Sequence, residues 1–427
     1  MNLPHRVKTL QDVVDWRLCI GCGACAYASP PGKIELVNLT NIGIRPRIQD
    51  PDYSGNECLS FCPGVGVSAP SGPADPKTAA EKEFGAAIEI WVGYAADPEI
   101  RFRASSGGIL TALALFCIER GGMGSVLHTG KDEERPWLNR TVQSQSRQQL
   151  LDRAGSRYAP SSPCDGLAQI ENSDLPCVFI GKPCDVAAVA SLRKTRPALD
   201  RNLGLVLTFF CAGTPSTQGS LDLVAGSSTS GHLIDLRYRG EGWPGEFKAR
   251  WEDGSEKSLS YEQAWSRLTS YRPLRCNLCP DGLGQLADIS CGDAWDEYDP
   301  QRPSPGISIL LVRTPRGQRI LRQAIEAGYL TLQPAGPERV LVAQKNLLGR
   351  RHELFGRLVA LRLLGIPVPR YLGFSLVSAW MRLPLGRKFR TVAGTVRRAL
   401  LRRWWTRGPA PKRELPVRVL DQEGTGR

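Results

Sequence analysis

Cysteines near the amino terminus constrain this chain more than any other feature. Three of them follow a C-x2-C-x2-C spacing over residues 19–25, and a Cys-Pro pair follows at Cys62. This spacing is typical of four thiolates around a cubane iron–sulfur cluster, whose tight loop suits small residues such as Gly21 and Gly23. Zinc stays the alternative, but zinc sites usually use two C-x2-C pairs. The expected ligands are Cys19, Cys22, Cys25 and Cys62, with Cys58 as a substitute or a spare.

The same stretch departs from a two-cluster ferredoxin. Ser29-Pro30 stands where the first half would carry a Cys-Pro pair, and the second half lacks its full set of cysteines. We therefore expect one cluster, held in a small module over residues 1–75. Residues 69–76 are rich in proline and small residues and are expected to form the boundary to the next domain.

A Ser-Ser-Gly-Gly run at residues 105–108 is expected to open the first long helix. Strand-like alternation precedes it, and an apolar segment at residues 109–118 ends at a Gly-Gly pair, as helices often do. Ser105 or Ser106 can cap the free N–H groups of that helix, and the glycines let an anion approach closely. The helix dipole then favours phosphate at this turn. An ordinary capped helix is the alternative for this run taken by itself.

Apolar strand-like runs alternate with helical stretches from about residue 85 to residue 335, which is typical of an α/β fold. Strands are predicted over residues 125–129, 177–180 and 203–210. Because open α/β sheets bind ligands outside the carboxyl ends of their strands, residues that directly follow these strands are candidate site residues.

Four cysteines of this region predict a second thiolate site. Cys184 and Cys211 each follow the carboxyl end of a predicted strand. Cys276 and Cys279 form a C-x2-C pair, which is a weak signal without the other two. The remaining cysteines are treated singly: Cys117 and Cys177 are expected to be small buried residues, and Cys164 and Cys291 stay undecided.

Composition narrows the class of protein. Thirteen cysteines against four histidines, in a chain of 427 residues without an apolar leader, favour metal or redox chemistry over disulfides, so we expect a cytoplasmic protein. No run of about 18 apolar residues predicts a membrane-spanning helix. The net charge of +13 is concentrated near the C-terminus, where residues 381–413 hold eleven Lys or Arg and no Asp or Glu. Nucleic acid is therefore not expected as a partner.

The C-terminal region, residues 340–427, carries a basic amphipathic helix. Its apolar positions recur near helical spacing and are Phe389, Val392, Val396, Ala399, Leu400 and Trp404. Such a helix with terminal tryptophans is typical of a peripheral anchor on a membrane surface, here the inner face. Packing of the helix on the main domain is an equal alternative. Beyond Gly408 the charged, Pro-rich tail is expected to be disordered.

Taken together, these runs resemble the coenzyme F420 hydrogenase/dehydrogenase beta-subunit family over residues 17–335. That family also includes ferredoxin-dependent reductases of chlorophyll-type pigments, such as 7-hydroxymethyl chlorophyll a reductase. The matching runs are residues 19–25 with Cys62-Pro63, residues 103–111, Gly155-Ser156-Arg157-Tyr158, Gly181-Lys182-Pro183-Cys184, Phe210-Cys211-Ala212-Gly213, Cys276-Asn277-Leu278-Cys279 and residues 287–293.

The resemblance implies a mixed-sheet flavin-binding α/β core over residues 85–335. A small N-terminal ferredoxin-like iron–sulfur module would precede this core, and a helical basic C-terminal extension would follow it. The implied cofactors are FAD and [4Fe-4S] clusters, one in the N-terminal module and a second in the core. The implied flavin-site residues are Arg103, Ser105, Ser106, Gly107, Gly108, Thr111, Gly155, Ser156, Tyr158 and Gly292. The implied ligands of the second cluster are Cys184, Cys211, Cys276 and Cys279, although the cysteine that follows Gly-Lys-Pro could instead act near the flavin.

An oxidoreductase is the activity that the resemblance implies. Single electrons from a ferredoxin or similar donor would reach FAD through the clusters and leave as pairs to a small-molecule acceptor. A basic chain suits an acidic donor. The acceptor stays open between an F420-type deazaflavin, a pigment and a polysaccharide-pathway intermediate.

Candidate catalytic residues are Lys182 and Asp293, which lie in motif loops. His128, His232 and His352 are scattered along the chain and are expected to be structural or exposed. Two other function classes remain: a non-catalytic electron-transfer subunit of a larger redox complex, and a zinc-bound nucleic-acid-binding module. The basic residues lie far from the thiols in the sequence, which argues against the latter. Whether the chain forms a homo-oligomer stays open.

Overall fold

A mixed sheet of eight strands forms the centre of the computed structural model, which describes residues 7–70, 78–226, 231–302, 304–408 and 414–416. The strands are β1 (Ile34–Leu39), β2 (Gly43–Ile48), β3 (Gly66–Ser68), β4 (Glu89–Ala95), β5 (Ser125–Lys131), β6 (Asn139–Ser144), β7 (Cys177–Gly181), β8 (Leu203–Phe209), β9 (Leu233–Arg237), β10 (Glu246–Trp251), β11 (Glu256–Ser260), β12 (Ile289–Asp293), β13 (Ser308–Val312), β14 (Leu330–Pro334), β15 (Arg370–Leu372) and β16 (Glu414–Pro416).

The helices flank this sheet or cover the terminal regions. They are α1 (Leu10–Asp15), α2 (Ala24–Ala28), α3 (Glu81–Phe84), α4 (Pro98–Arg103), α5 (Ile109–Glu119), α6 (Arg147–Asp152), α7 (Leu167–Glu171), α8 (Pro183–Leu192), α9 (Pro197–Asn202), α10 (Thr217–Val224), α11 (Tyr261–Leu268), α12 (Leu274–Asn277), α13 (Pro315–Glu326), α14 (Pro337–Ala343), α15 (Lys345–His352), α16 (Leu354–Leu363), α17 (Leu376–Met381) and α18 (Leu385–Leu401).

The large sheet has the strand order β14-β4-β13-β12-β8-β7-β5-β6. Its central strands β12, β8, β7 and β5 run parallel, and antiparallel strands flank them on both sides. Parallel strands are covered on both faces, which explains why β7 and β8 are apolar along most of their length instead of alternating. The carboxyl ends of the parallel strands therefore meet at one edge of the sheet.

The α/β class predicted for the core is confirmed, together with the strands predicted over residues 125–129, 177–180 and 203–210. The predicted apolar helix is α5, whose central residues Ala112, Leu113 and Ala114 are fully buried. These strands could be predicted because burial on both faces makes them continuous apolar runs without alternating polar residues.

The C-terminal region shares a hydrophobic cluster with the N-terminal module and the core. This cluster includes Val13, Trp16, Leu18, Leu274, Leu278, Leu358, Leu361, Phe374, Ala399 and Trp404. In addition, β15 pairs in parallel with β3 of the N-terminal module. The expected boundary at residues 69–76 lies mostly outside the described residues.

Helix α18 confirms the predicted C-terminal helix but not its expected apolar face. The side that packs on α16 carries Thr391, Thr395 and Ala399, and Trp404 beyond the helix is buried too. By contrast, Phe389 is 76% exposed. The predicted apolar positions of α18 are therefore divided between the core and the surface, because the helix packs through small residues and not through its largest apolar ones.

Part of the tail beyond Gly408 was wrongly expected to be disordered. Residues 414–416 form β16, which pairs antiparallel with β1 of the N-terminal hairpin. The rest of the tail lies outside the described residues. No helix in the described ranges has the length and apolar character needed to cross a lipid bilayer.

Candidate functional site

A cavity of about 520 Å³ lies at the edge of the sheet where the parallel strands end. Its size is within the usual range of ligand pockets, and its place is the one that open α/β sheets use for ligands. Several residues singled out in the sequence line it together: Ser105, Ser106, Gly108, Thr111, Gly155, Ser156, Tyr158, Lys182, Cys211, Gly292 and Asp293.

Two of the predicted flavin-site residues do not line this cavity. Arg103 pairs at the surface with Glu99 and Asp152. Gly107 lies in the turn itself, where its N–H donates to the hydroxyl of Ser308 over 2.8 Å. A Cβ at Gly107 would lie 2.7 Å from a backbone carbonyl oxygen, so this position requires glycine for packing.

The Ser-Ser-Gly-Gly run does not cap the helix through a serine, as the sequence led us to expect. Gly108 is the N-cap of α5 and takes a left-handed conformation with φ of +79°. Ser105 instead accepts a hydrogen bond from the N–H of Ser156 at 2.5 Å, and Ser106 shares one with Ser308 at 2.8 Å. The serines therefore join three loops at the cavity wall, and the start of α5 keeps N–H groups without a side-chain cap.

Asp293, at the end of β12, is held in an ion pair. Its carboxylate accepts hydrogen bonds from both Nη atoms of Arg239, at 2.6 and 3.1 Å, and from the indole of Trp243 at 2.7 Å. Burial works to lower the pKa of Arg239, but Asp293 holds that pKa well above its ordinary value. Because the Asp293 carboxylate accepts three hydrogen bonds from Arg239 and Trp243, these contacts favour a positioning role for it.

Lys182 lies between the cavity and the core cysteines. Its ammonium donates to Asp185 over 2.8 Å and to the hydroxyl of Ser161 over 2.7 Å, and its side chain is 6% exposed. Burial works to lower its pKa, but Asp185 and then Cys184 raise the pKa above the ordinary value. Lys182 therefore keeps its proton and supplies a fixed positive charge beside the thiols.

Sequence reasoning missed Asp185, which directly follows the Gly-Lys-Pro-Cys motif. Its side chain is fully buried against the cavity, and its Oδ1 is buried without a hydrogen-bond partner among the described residues. Only its place next to a motif cysteine could have drawn attention to it.

An aromatic wall on one side of the cavity was also missed. Tyr261 stacks on Trp295 with ring centres 5.4 Å apart, and the edge of Tyr298 meets Trp295 at 5.9 Å. The guanidinium of Arg239 lies 4.8 Å from the centre of the Tyr261 ring. Tyr261 opens α11, whereas Trp295 and Tyr298 lie in the segment after β12, so only the fold brings the two parts together.

The outer cysteine set, Cys19, Cys22, Cys25 and Cys62, gathers around one tight loop. Gly21 has φ of +71°, and a Cβ there would lie 2.5 Å from a backbone oxygen, so the turn requires glycine. Burial raises the pKa of the Cys25 thiol well above its ordinary value, and the nearby Cys22 and Cys19 raise it further. Burial, with Cys22 and Cys19, also raises the pKa of Cys62.

Cys58 lies beside Ser29, the residue that replaces a cysteine of the two-cluster pattern. The Ser29 hydroxyl is 3.6 Å from the Cys58 sulfur and also accepts a hydrogen bond from Tyr53 at 2.7 Å. In a two-cluster ferredoxin, residues at these two positions would both belong to the second cluster. This contact favours the interpretation of Cys58 as a spare, which stays a prediction. Cys164, left undecided above, is buried beside Cys22.

Three separate segments bring together the inner cysteine set: Cys184 at the start of α8, Cys211 after β8, and Cys276 and Cys279 in and after α12. Burial, together with the nearby Cys276 and Cys279, raises the pKa of Cys211 to about 12. Burial also raises the pKa of Cys184, to which Asp185 and Cys211 contribute. Because Cys211 lines the cavity, the inner set and the cavity are direct neighbours.

Arg275 links the two cysteine sets. It is 1% exposed, and its guanidinium donates to the carbonyl oxygen of Pro63 over 2.8 Å and to that of Leu278 over 3.3 Å. Burial works to lower the pKa of Arg275, but the Tyr371 phenol and the Cys279 thiol raise that pKa above its ordinary value. Among the described residues, Arg275 forms no salt bridge with a carboxylate. A buried cation beside three inner thiols suits negatively charged neighbours, and its link to the outer set is the hydrogen bond to the residue after Cys62.

The donor chemistry of both sets fits iron–sulfur clusters, which proteins hold through cysteine thiolates. Among the described residues, no three His, Cys, Asp or Glu side chains close on one point tightly enough to hold a metal ion. The two sets are thus neighbourhoods of thiols and not finished ligand shells. The buried cations Lys182 and Arg275 lie where they would offset the negative charge of thiolates.

Comparison with known proteins supports a redox family. The model of the coenzyme F420 hydrogenase/dehydrogenase beta subunit matches in two parts, its N-terminal part over residues 90–168 and its C-terminal part over residues 176–338. The coenzyme F420 hydrogenase subunit beta of Methanococcus voltae is 26% identical over 282 residues, which are 64% of this chain and 95% of that protein.

Two further similarities agree with this match. The coenzyme F420-dependent sulfite reductase of Methanocaldococcus jannaschii is 22% identical over 339 residues, covering 74% of this chain and 47% of that protein. A chain of the F420-reducing [NiFe] hydrogenase complex from Methanosarcina barkeri shares the fold, with a TM-score of 0.50 and 21% identity over 65% of this chain and 92% of that chain. This chain belongs to the coenzyme F420 hydrogenase/dehydrogenase beta-subunit family, a family of oxidoreductase subunits.

Proposed function

We propose that this chain is an iron–sulfur flavoprotein oxidoreductase that takes single electrons from a ferredoxin-like donor and delivers pairs to a small-molecule acceptor. Bound [4Fe-4S] clusters would carry single electrons, and bound FAD would combine them into pairs. The observation that carries this proposal is the contact between the inner cysteine set and the cavity, since Cys211 belongs to both.

The cavity offers what a flavin nucleotide requires of a protein. The free N–H groups at the start of α5, beside Ser106 and Thr111, would hold its phosphates. Gly155 leaves room for close approach to the backbone, whereas the space beside Gly292 is filled by the ring of Phe210. The aromatic wall offers a flat apolar surface. The Oδ1 of Asp185 is a free buried acceptor. No single one of these features is specific, but they occur together on one cavity.

Fixed charges would tune this site. Lys182 holds a proton beside Cys184 and Cys211, and Arg239 is fixed by Asp293. We propose electrostatic roles for Lys182 and Asp293, because the first keeps its proton firmly and the second is locked in an ion pair. The proton for the substrate would then come from water or from another group next to the bound substrate.

The experiment is reduction of anaerobically purified protein by reduced ferredoxin, followed by flavin absorbance. We expect iron, acid-labile sulfide and extractable FAD, and bleaching of the flavin band. A Cys279→Ser variant should keep FAD but bleach much more slowly, because it disrupts the inner set and leaves the cavity intact. Zinc in place of iron, or absence of flavin, would contradict the proposal.

The acceptor is proposed to be a deazaflavin of the F420 type, since the names of several relatives contain this coenzyme. Pigments and polysaccharide-pathway intermediates are the competing acceptors. A non-catalytic role within a larger redox complex is the second candidate function, because the structural relative is a chain of a hydrogenase complex. Co-purification with a partner, and no turnover by the isolated chain, would favour this second role.

We also propose contact of the α17–α18 region with an anionic membrane surface. Met381, Leu385 and Phe389 are 64%, 82% and 76% exposed and lie among basic residues. Deleting α18 would open the shared core at Trp404, so point substitutions are the better test. Co-sedimentation with anionic vesicles should fall in a Leu385→Ser/Phe389→Ser variant, whereas equal sedimentation of variant and wild type would exclude the contact.

A further inference from the structure

A second cavity, of about 250 Å³, lies where the C-terminal helix covers the segment between Cys276 and Cys279. Asn277 and Leu278 of that segment form one wall, and Thr395 of α18 and Trp404 form another. The C-terminal wall lies beyond residue 338, where the match to the family model ends. The cavity is therefore completed by a part of this chain that the family model does not include.

Four arginines converge on this small cavity: Arg272, Arg357, Arg398 and Arg402. Within the described chain, Glu353 is the one carboxylate that pairs with any of them, and it is shared between Arg357 and Arg387. The lining thus carries an excess of positive charge. Such an excess is costly to hold together unless a negative charge compensates it.

Hydrogen-bond donors in the lining remain unused. The Nε of Arg357 is buried and has no partner among the described residues. Arg398 makes one long contact of 3.4 Å, to the hydroxyl of Thr395. Arg272 donates through Nε and one Nη to backbone oxygens of Thr269 and Ala212. Guanidinium groups with free N–H bonds around a common space are the usual receptors for phosphate and carboxylate groups.

The arginines also disfavour one another's charge in the absence of an anion. Burial, together with the neighbouring Arg350 and Arg357, lowers the pKa of Arg272 to about 10. Burial followed by Arg402 lowers the pKa of Arg398. A bound anion would offset the repulsion between the guanidinium groups. Binding would therefore be favoured by this electrostatic gain as well as by new hydrogen bonds.

We propose that this cavity binds a phosphate-type group of a small molecule, held by the guanidiniums of Arg398 and Arg402 and by the Nε of Arg357, which has no partner among the described residues. Both Nη atoms of Arg357 already donate hydrogen bonds, to Asn277 and Glu353. Arginine is favoured over lysine at such sites because its planar fork matches two oxygens of one group. The volume admits a phosphate or pyrophosphate group and excludes a whole protein segment. The site is separate from the large cavity and does not depend on the proposed redox function.

The test is calorimetric titration of the holoprotein with inorganic pyrophosphate at low and high salt. Wild type should bind one equivalent, and added salt should weaken binding. Arg402→Gln and Arg398→Gln should each weaken it about tenfold or more, because each removes charge-assisted hydrogen bonds. Both side chains are largely exposed and form no salt bridge among the described residues, so the variants should fold, which circular dichroism checks.

Arg390→Gln is the matched control, since Arg390 lies exposed on the same helix and does not line the cavity. It should bind within about twofold of wild type. Absence of saturable binding by wild type, or equal weakening in Arg390→Gln and Arg402→Gln, would overturn the proposal. Vesicles containing phosphatidic acid separate the sources: loss of vesicle binding in Arg402→Gln indicates a lipid headgroup, and unchanged vesicle binding indicates a soluble phosphate compound.

Discussion

The two cysteine sets differ in how they are built and in the charges that surround them. The outer set depends on one glycine-containing loop and a Cys-Pro pair, with Arg45 as a nearby cation that acts on Cys19. The inner set is assembled from three segments and has Lys182 and Arg275 buried beside it. Buried cations favour the more negative, reduced form of a cluster. Two of them lie at the inner set against one, Arg45, at the outer set, so we expect the higher reduction potential at the inner set. Electrons would then run inward, toward the cavity.

The largest expected effect is loss of iron from the inner set. Cys279→Ser should lower bound iron and sulfide by about half, from roughly eight to roughly four of each per chain, because one of two [4Fe-4S] clusters is lost. Chemical analysis of anaerobically purified protein measures this. Cys117→Ala is the control and should keep its iron, since Cys117 is buried in α5 away from both sets. Full iron content in Cys279→Ser would show that the inner set holds no cluster.

Disrupting the outer set should lower the iron content as much as disrupting the inner set does, but it should slow a different electron-transfer step. Cys22→Ser should also lose about half of the iron, and its remaining cluster should no longer be reduced quickly by ferredoxin. Stopped-flow absorbance follows this rate. Cys58→Ala should retain iron and rate, since we expect Cys58 to be a spare beside Ser29. Equal iron loss in both variants would make Cys58 a ligand after all.

Arg275 should connect the stability of the two sets. Arg275→Gln leaves the Pro63 oxygen without its charged donor and should lower the free energy of unfolding by about 3 kcal/mol. It should also lower the potential of the inner cluster more than that of the outer one. Urea unfolding and a redox titration measure these two quantities. Arg362→Gln, an exposed control on α16, should change stability by no more than about 0.5 kcal/mol.

Acid should also lower the stability of the protein through His128, independently of the two cysteine sets. Burial, with help from Arg153, lowers the pKa of His128 to about 3. Since an unfolded histidine titrates near 6.5, the unfolded state gains the proton first as the pH falls. Stability should therefore fall by about 1.4 kcal/mol per pH unit between roughly pH 6 and pH 3. Urea unfolding at pH 7 and pH 5 measures this loss of stability. The loss should be smaller in His128→Gln than in wild type, and it should be as large as in wild type in the exposed control His232→Gln.

The same contrast explains how much could be predicted from the sequence. The outer set was predictable because its spacing, its glycines and Ser29 are local features. The strands at residues 177–180 and 203–210 were predictable because each is a continuous apolar run. By contrast, the roles of Arg275 and Asp185 depend on contacts between distant loops, and the serines of the Ser-Ser-Gly-Gly run were misread because Gly108 takes the cap position. Likewise, tertiary packing decided that Trp404 is buried while Phe389 is exposed.

The most direct measurement of the central claim is a redox titration of anaerobically purified protein, followed by electron paramagnetic resonance of the reduced clusters. We expect two distinguishable iron–sulfur signals, with the one lost in Cys279→Ser reduced at the higher potential. A single signal that survives in Cys279→Ser, or an inner signal at the lower potential, would contradict inward electron flow through two sets of thiolates.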